Sequence, residues 1–92
     1  MLTAFVLINA EPERIADLAS DIADVDGVAE VYSVTGDLDL VAIVRVRRHE
    51  ELAEVVTRRI AALPGTVHTT TMIAFQAYSR HDLDSMWGLG IE

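Results

Sequence analysis

Two short segments hold the residue types from which a small-molecule site can be made. The first is Val34-Thr35-Gly36-Asp37-Leu38-Asp39, a glycine followed by two carboxylates that flank a leucine. Between apolar runs, such a stretch reads first as a hairpin turn. A turn also exposes backbone N–H groups able to hold a carboxylate, and Asp37 or Asp39 can hold an ammonium. The second segment is His68-Thr69-Thr70-Thr71. A β-branched run suits a strand, and Thr69 and Thr71 then place two hydroxyls on one face. Apolar walls with a few convergent polar groups suit a small zwitterion.

The remaining polar residues offer less. His49, His68 and His81 are not at helical ligand spacing, and there is no cysteine. No metal site is therefore expected, and Glu50 and Glu51 read as acids at a helix start. Glu13, Asp17, Asp21 and Asp24 form an acidic helical stripe, which fits a solvated face. Arg58 and Arg59 are placed to pair with that stripe across the helix layer or between subunits. There is no Gly-rich phosphate loop, Ser/His/Asp order or nucleophile elbow, and no cofactor is expected. Trp87, the sole tryptophan, fits either a pocket wall or an anchor on a neighbouring subunit.

The elements that must carry these residues follow from periodicity and punctuation. Residues 3–9 form a strand candidate, and Glu11-Pro12-Glu13 opens a helix. Ile15, Leu18, Ile22 and Val25 make its apolar stripe, and Asp26-Gly27 stops it. Val28–Thr35 reads as a second strand, Gly36-Asp37 as a turn, and Asp39–Arg47 as a third strand. Glu50–Leu63 is the second helix, buried through Leu52, Val55, Val56, Ile60 and Leu63 and ended by Pro64-Gly65. Val67–Tyr78 reads as a long fourth strand, and Arg80–Trp87 as a short helix before a tail.

Shifting the first half along the chain superposes it on the second. Val6 falls on Val44, Ile8 on Val46, Leu18 on Val56, Ile22 on Ile60 and Gly27 on Gly65. A doubled βαβ unit is the ferredoxin-like βαββαβ order, an α+β fold. It has an antiparallel four-stranded sheet with both helices on one face. Alternation then exposes a problem. Phe5 and Leu7 oppose Ala4, Val6 and Ile8, while Val41 and Ile43 oppose Leu40, Ala42, Val44 and Val46. Both faces are apolar, and two helices cover only one. A second subunit is expected on the other, sheet on sheet or edge to edge, giving an obligate homodimer of the dimeric α/β barrel or sandwich type.

The segment from Ala29 to Leu40 resembles the V-x-x-V-T-G-x-x-D segment of the Lrp/AsnC (leucine-responsive/asparagine regulator) family. Leu63 to Thr71 resembles that family's L-x-G-V-x-x-T-x-T segment, with Thr66 where valine is usual. The resemblance spans about residues 2–79 and concerns the effector-binding domain, with residues 80–92 left as a short helix and tail. It implies dimerisation through the sheets, assembly into rings such as octamers, and amino-acid effectors bound between dimers. The implied contacts are Val31, Tyr32, Thr35, Gly36, Asp37, Leu38, Asp39, Thr69 and Thr71. Within that set, the backbone of Gly36–Leu38 is expected to meet the effector carboxylate, and Asp39 or a threonine hydroxyl its ammonium. Full-length members begin with a helix-turn-helix domain. Here strand one starts at Thr3, so a stand-alone effector domain is expected, acting on DNA through a partner such as a full-length family member.

Composition narrows the alternatives. The chain has 92 residues, all its basic residues are arginine, and the net charge is −8. Its first forty residues carry the whole of that charge, and no basic tract suits phosphate contact, so direct nucleic-acid binding is not expected. There is no apolar run long enough to span a membrane, and a cytoplasmic location is the default. The expected function is a non-enzymatic sensor in transcriptional regulation. The alternatives are a small dimeric α/β-barrel enzyme of monooxygenase or isomerase type, using Asn9, His68 or Trp87, and a structural assembly module without a ligand.

Overall fold

The computed structural model describes residues 1–80. The elements run β1 (Leu2–Ala10), α1 (Ile15–Ala23), β2 (Val28–Ser33), β3 (Leu40–Val46), α2 (His49–Ala53) and β4 (Thr66–Ile73). A 3₁₀ turn at Pro12–Arg14 leads into α1, and a π-helical stretch, Glu54–Ile60, continues α2. The sheet order is β2-β3-β1-β4, and each of its strand pairs is antiparallel. This is the ferredoxin-like arrangement expected from the doubled βαβ order.

One face of the sheet makes the core. Ala4, Val6, Ile8 and Ala10 of β1 and Leu40, Ala42, Val44 and Val46 of β3 are all buried. Leu18 and Ile22 of α1, with Leu52, Val55 and Ile60 of the second helix, close over them. The helices end at Ala23 and Ile60, with Asp24 and Ala61 as right-handed caps, ahead of the glycines that the sequence marks as their stops. Gly27 and Gly65 lie at matching points just before β2 and β4, with φ of 99° and 97°. A glycine takes this left-handed conformation without a Cβ penalty, and in both halves of the repeat it turns the chain into the following strand.

The repeat fails in one place. It pairs Val56 with Leu18, yet Val55 is the buried residue (4% exposed), and Val56 only packs against the core from its edge. The π stretch explains the difference. Ala61 N–H bonds to the Val56 carbonyl, five residues back. Such i→i+5 bonding widens the turn and aligns residues five apart, here Val55 and Ile60.

Two further boundaries differ from the sequence reading. The Gly36-Asp37 turn is the centre of a longer loop, because the last β2–β3 pair is Ser33 with Leu40. The fourth strand stops at Ile73, not Tyr78. It pairs only with β1, and β1 runs out: after Ala4 opposite Ile73, Ala74 N–H takes the Thr3 carbonyl at 2.9 Å. Phe75 beyond it is fully exposed. The expected helix at Arg80–Trp87, and Trp87 itself, lie outside the described residues, apart from Arg80.

Candidate functional site

The Val34–Asp39 loop is fastened to β1 by three contacts. Asp39 N–H donates to the Ile8 carbonyl (3.0 Å), extending the β1–β3 ladder one step. At the next step no β3 carbonyl is available, and the Asp39 carboxylate takes its place by accepting from Ala10 N–H at 2.8 Å. Asn9 then reaches across, its Nδ2 donating to the Asp37 carbonyl at 2.8 Å. Within the loop, Val34 N–H bonds to the Asp39 carbonyl (3.1 Å).

These contacts fix the base of the loop and leave its tip open. Among the described residues, the N–H groups of Thr35, Gly36, Asp37 and Leu38 make no hydrogen bond. Thr35, Gly36 and Asp37 are exposed, and Leu38 is half-buried. Gly36 has φ of 106°, and a Cβ added there would meet nothing within 4 Å. The loop tip is therefore a set of free donors beside the Asp37 carboxylate, with nothing among the described residues within 4 Å of a Cβ at Gly36.

The other expected contacts divide between two faces. Residues directly opposite in antiparallel strands share a face. Thr71 opposite Val6 and Thr69 opposite Ile8 thus lie together on the helix side of the sheet. Val31, opposite Ala42, is also on that side and packs against the core. Tyr32, opposite Val41, is on the open side, because a bulge between Val28 and Glu30 sets the register of β2. The structure therefore brings the loop and Thr69 to neighbouring positions at Ile8–Ala10. Within one copy it does not bring Tyr32 and the threonines to one wall.

The open face has its own character. Phe5, Leu7 and Val41 are half-buried and surround buried Ile43, with exposed Tyr32 and Met72 at the flanks. Glu30, Arg45, Asn9, His68 and Thr70 rim them. The neighbouring Glu30 carboxylate, by hydrogen bonding to the phenol first and by its charge second, raises the Tyr32 pKa. Asn9 belongs to both regions, and sequence reasoning had placed it only in the enzyme alternative. Its spacing from Asp37 gave no sign that the two meet.

Other readings of the polar residues change. Arg58 and Arg59 pair with Glu54 on their own helix, at 3.7 and 4.0 Å, not with the acidic stripe of α1. Glu51 is a helix-start acid as expected, its Oε1 accepting from the N–H groups of Arg47 (2.8 Å) and Arg48 (3.2 Å). No group of three or more His, Asp or Glu side chains among the described residues is placed to hold a metal ion. No helix among them is long and apolar enough to cross a membrane.

Comparison with known proteins gives a consistent picture. The model of the Lrp/AsnC ligand binding domain matches residues 3–83. The HTH-type transcriptional regulator FL11 of Pyrococcus abyssi is 34% identical over 77 residues, 84% of this chain and 50% of that protein. The chain thus spans about half the length of the curated relatives it matches. Among solved structures, TTHA0845 from Thermus thermophilus superposes with a TM-score of 0.82 at 52% identity, covering 87% of this chain and 100% of that one. The feast or famine regulatory protein of M. tuberculosis, complexed with L-methionine, gives 0.72 at 28% identity, covering 87% and 54%.

Proposed function

The chain belongs to the Lrp/AsnC family through its ligand-binding domain, and from that premise we propose that it senses an amino acid at the Val34–Asp39 loop. The observation that carries this reading is the fastened loop whose four tip N–H groups are left without partners. Gly36–Leu38 N–H groups receive the effector carboxylate. Asp37 and the second oxygen of Asp39 receive the ammonium, with Thr69 the nearer and Thr71 the farther of the two expected threonines along β4. Because the described residues supply no roof over the loop tip, a second copy closes the site, which places Tyr32 and Val31 of the original set at the periphery. The M. tuberculosis relative complexed with L-methionine supports the ligand class.

The same reading extends to assembly. The apolar centre of the open sheet face fits a second copy, as a homodimer that associates further into a ring such as an octamer. Effector binding then acts in transcriptional regulation by favouring one assembly, or one pairing with a DNA-binding regulator of the same family, over another. With a net charge of −8, contact with DNA passes through that partner, in the cytoplasm. The enzyme alternative has no support from the curated relatives, which are named as transcriptional regulators.

Calorimetry against the standard amino acids tests the proposal. One or a few are expected to give saturable heat, and Gly36→Ala to weaken it by about tenfold or more. That loss comes from the backbone conformation, since the added methyl meets no neighbour. Silence from every amino acid would overturn it.

A further inference from the structure

Asn9 is out of character with its strand. Apart from Thr3, the rest of β1 is apolar, and asparagine is a residue that strands disfavour. Strand alternation puts Asn9 on the open face with Phe5 and Leu7, beside the Val34–Asp39 loop. The side chain is committed to that loop, its Nδ2 donating to the Asp37 carbonyl at 2.8 Å.

This hydrogen bond controls more than the oxygen it touches. The Asp37 carbonyl and the Leu38 N–H belong to one planar peptide unit. The unit is trans, so its C=O and N–H point in opposite directions. Holding the oxygen toward Asn9 therefore turns the Leu38 N–H away from it. Among the described residues, no other hydrogen bond reaches the backbone of Thr35, Gly36, Asp37 or Leu38. The remaining fastenings act at Val34 and Asp39. They leave the Asp37–Leu38 peptide free to flip by opposed rotations about ψ of Asp37 and φ of Leu38. Gly36 adds no restraint, since nothing lies within 4 Å of the position a Cβ would take.

We propose that Asn9 is a positioning residue for the effector: by holding the Asp37 carbonyl, it aims the Leu38 N–H at the effector carboxylate. The inference rests on the loop site proposed above and adds to it a residue that does not touch the ligand. A flipped peptide presents a carbonyl oxygen where the N–H had been. A donor that attracts the carboxylate is then exchanged for a dipole that repels it. The effect falls on the carboxylate end of the ligand.

Asn9→Leu tests this, since it keeps the approximate size and the neutrality of the side chain and removes the donor. Beside Phe5 and Leu7 a leucine suits the fold. Nitrogen-15 relaxation of the ligand-free protein comes first. The order parameter of the Leu38 amide is expected to fall from about 0.85 to below about 0.6, with the Val34 and Asp39 amides unchanged. Calorimetry then compares each amino acid that gives heat with its C-terminal amide, which lacks the carboxylate. L-Methionine and L-methioninamide are the first pair. The variant is expected to bind the amino acid about tenfold more weakly and the amide less than about twofold more weakly. A merely structural role would weaken both alike, and equal losses overturn the inference. A Leu38 amide as ordered in the variant as in the wild type also overturns it, while leaving the loop site standing. Silence of the wild type toward every standard amino acid is the failure of the loop site itself and takes this inference with it.

Discussion

The Asp39 carboxylate substitutes for a missing strand carbonyl by accepting the Ala10 N–H at 2.8 Å. Ala10 is only 8% exposed, so its N–H loses its acceptor in a largely dry place if the carboxylate is removed. Asp39→Ala is expected to cost about 1–3 kcal/mol, the penalty of an orphaned buried donor. Asp39→Asn keeps an acceptor in place and is expected to lose less than half of that. Urea unfolding of the two variants checks the ranking. Equal stability of wild type and Asp39→Ala would show that the contact is dispensable. The double role also bears on effector assays, where Asp39→Ala confounds a lost ligand contact with a loosened loop.

Glu51 fastens the start of the second helix through the N–H groups of Arg47 and Arg48. The Arg47 N–H above all, with the Arg48 N–H and the nearby guanidinium charges adding to it, holds the Glu51 carboxyl below the ordinary carboxylate range. A folded-state pKa below the unfolded value means stabilisation that is present above the ordinary value and lost as pH falls through the folded one. Glu51→Gln is therefore expected to melt below wild type near neutral pH. The gap is expected to narrow as the solution is acidified past the carboxylate range. Melting curves across that range measure it, and a gap that widens with acid contradicts the assignment.

Much of the fold is legible in the sequence because it is written twice. Val6 and Val44, Ile22 and Ile60, and Gly27 and Gly65 occupy equivalent positions in burial or backbone angle. What is not legible depends on partners distant in sequence. The end of β4 is set by where β1 begins, and nothing in Val67–Tyr78 itself marks Ile73 as the last paired residue. The split of Val31 from Tyr32 follows from strand alternation, but which of them faces the core is set by the bulge and the register with β3. Sequence picks out the loop because Gly36, Asp37 and Asp39 are turn residues. It does not show that Asp39 has one oxygen committed to Ala10, since twenty-nine residues separate the two.

The π stretch makes a testable exchange between neighbours. In the internal repeat Val56 is the counterpart of buried Leu18, whereas the structure buries Val55. Truncating a buried valine removes two methyl groups and leaves a cavity. Val55→Ala is expected to cost about 1–3 kcal/mol, and Val56→Ala roughly half as much or less. The reverse order, from chemical denaturation of the two variants, would place the second helix in an ordinary α register throughout.

Leu7 lies at the centre of the open sheet face, with Phe5 beside it on β1 and Val41 directly opposite on β3. All three are half-buried by their own chain, and Tyr32 and Met72 flank them at 50% exposure. If a second copy covers this face, a carboxylate at Leu7 has to be buried against an apolar surface, at a cost of several kcal/mol per ion. In an isolated copy the same carboxylate stays in water, so Leu7→Glu is expected to alter the fold little. The expected outcome is a dimer or larger assembly for the wild type at micromolar concentration and a smaller species for Leu7→Glu, with unchanged far-ultraviolet circular dichroism. Multi-angle light scattering distinguishes the cases. A monomeric wild type removes the basis for subunit pairing through this face. An assembled Leu7→Glu variant moves the contact elsewhere, to the edges of β2 or β4. The effector assay then gains a second readout. A site roofed by another copy loses affinity when the assembly is broken, so Leu7→Glu is expected to weaken binding at the loop without touching a residue of it.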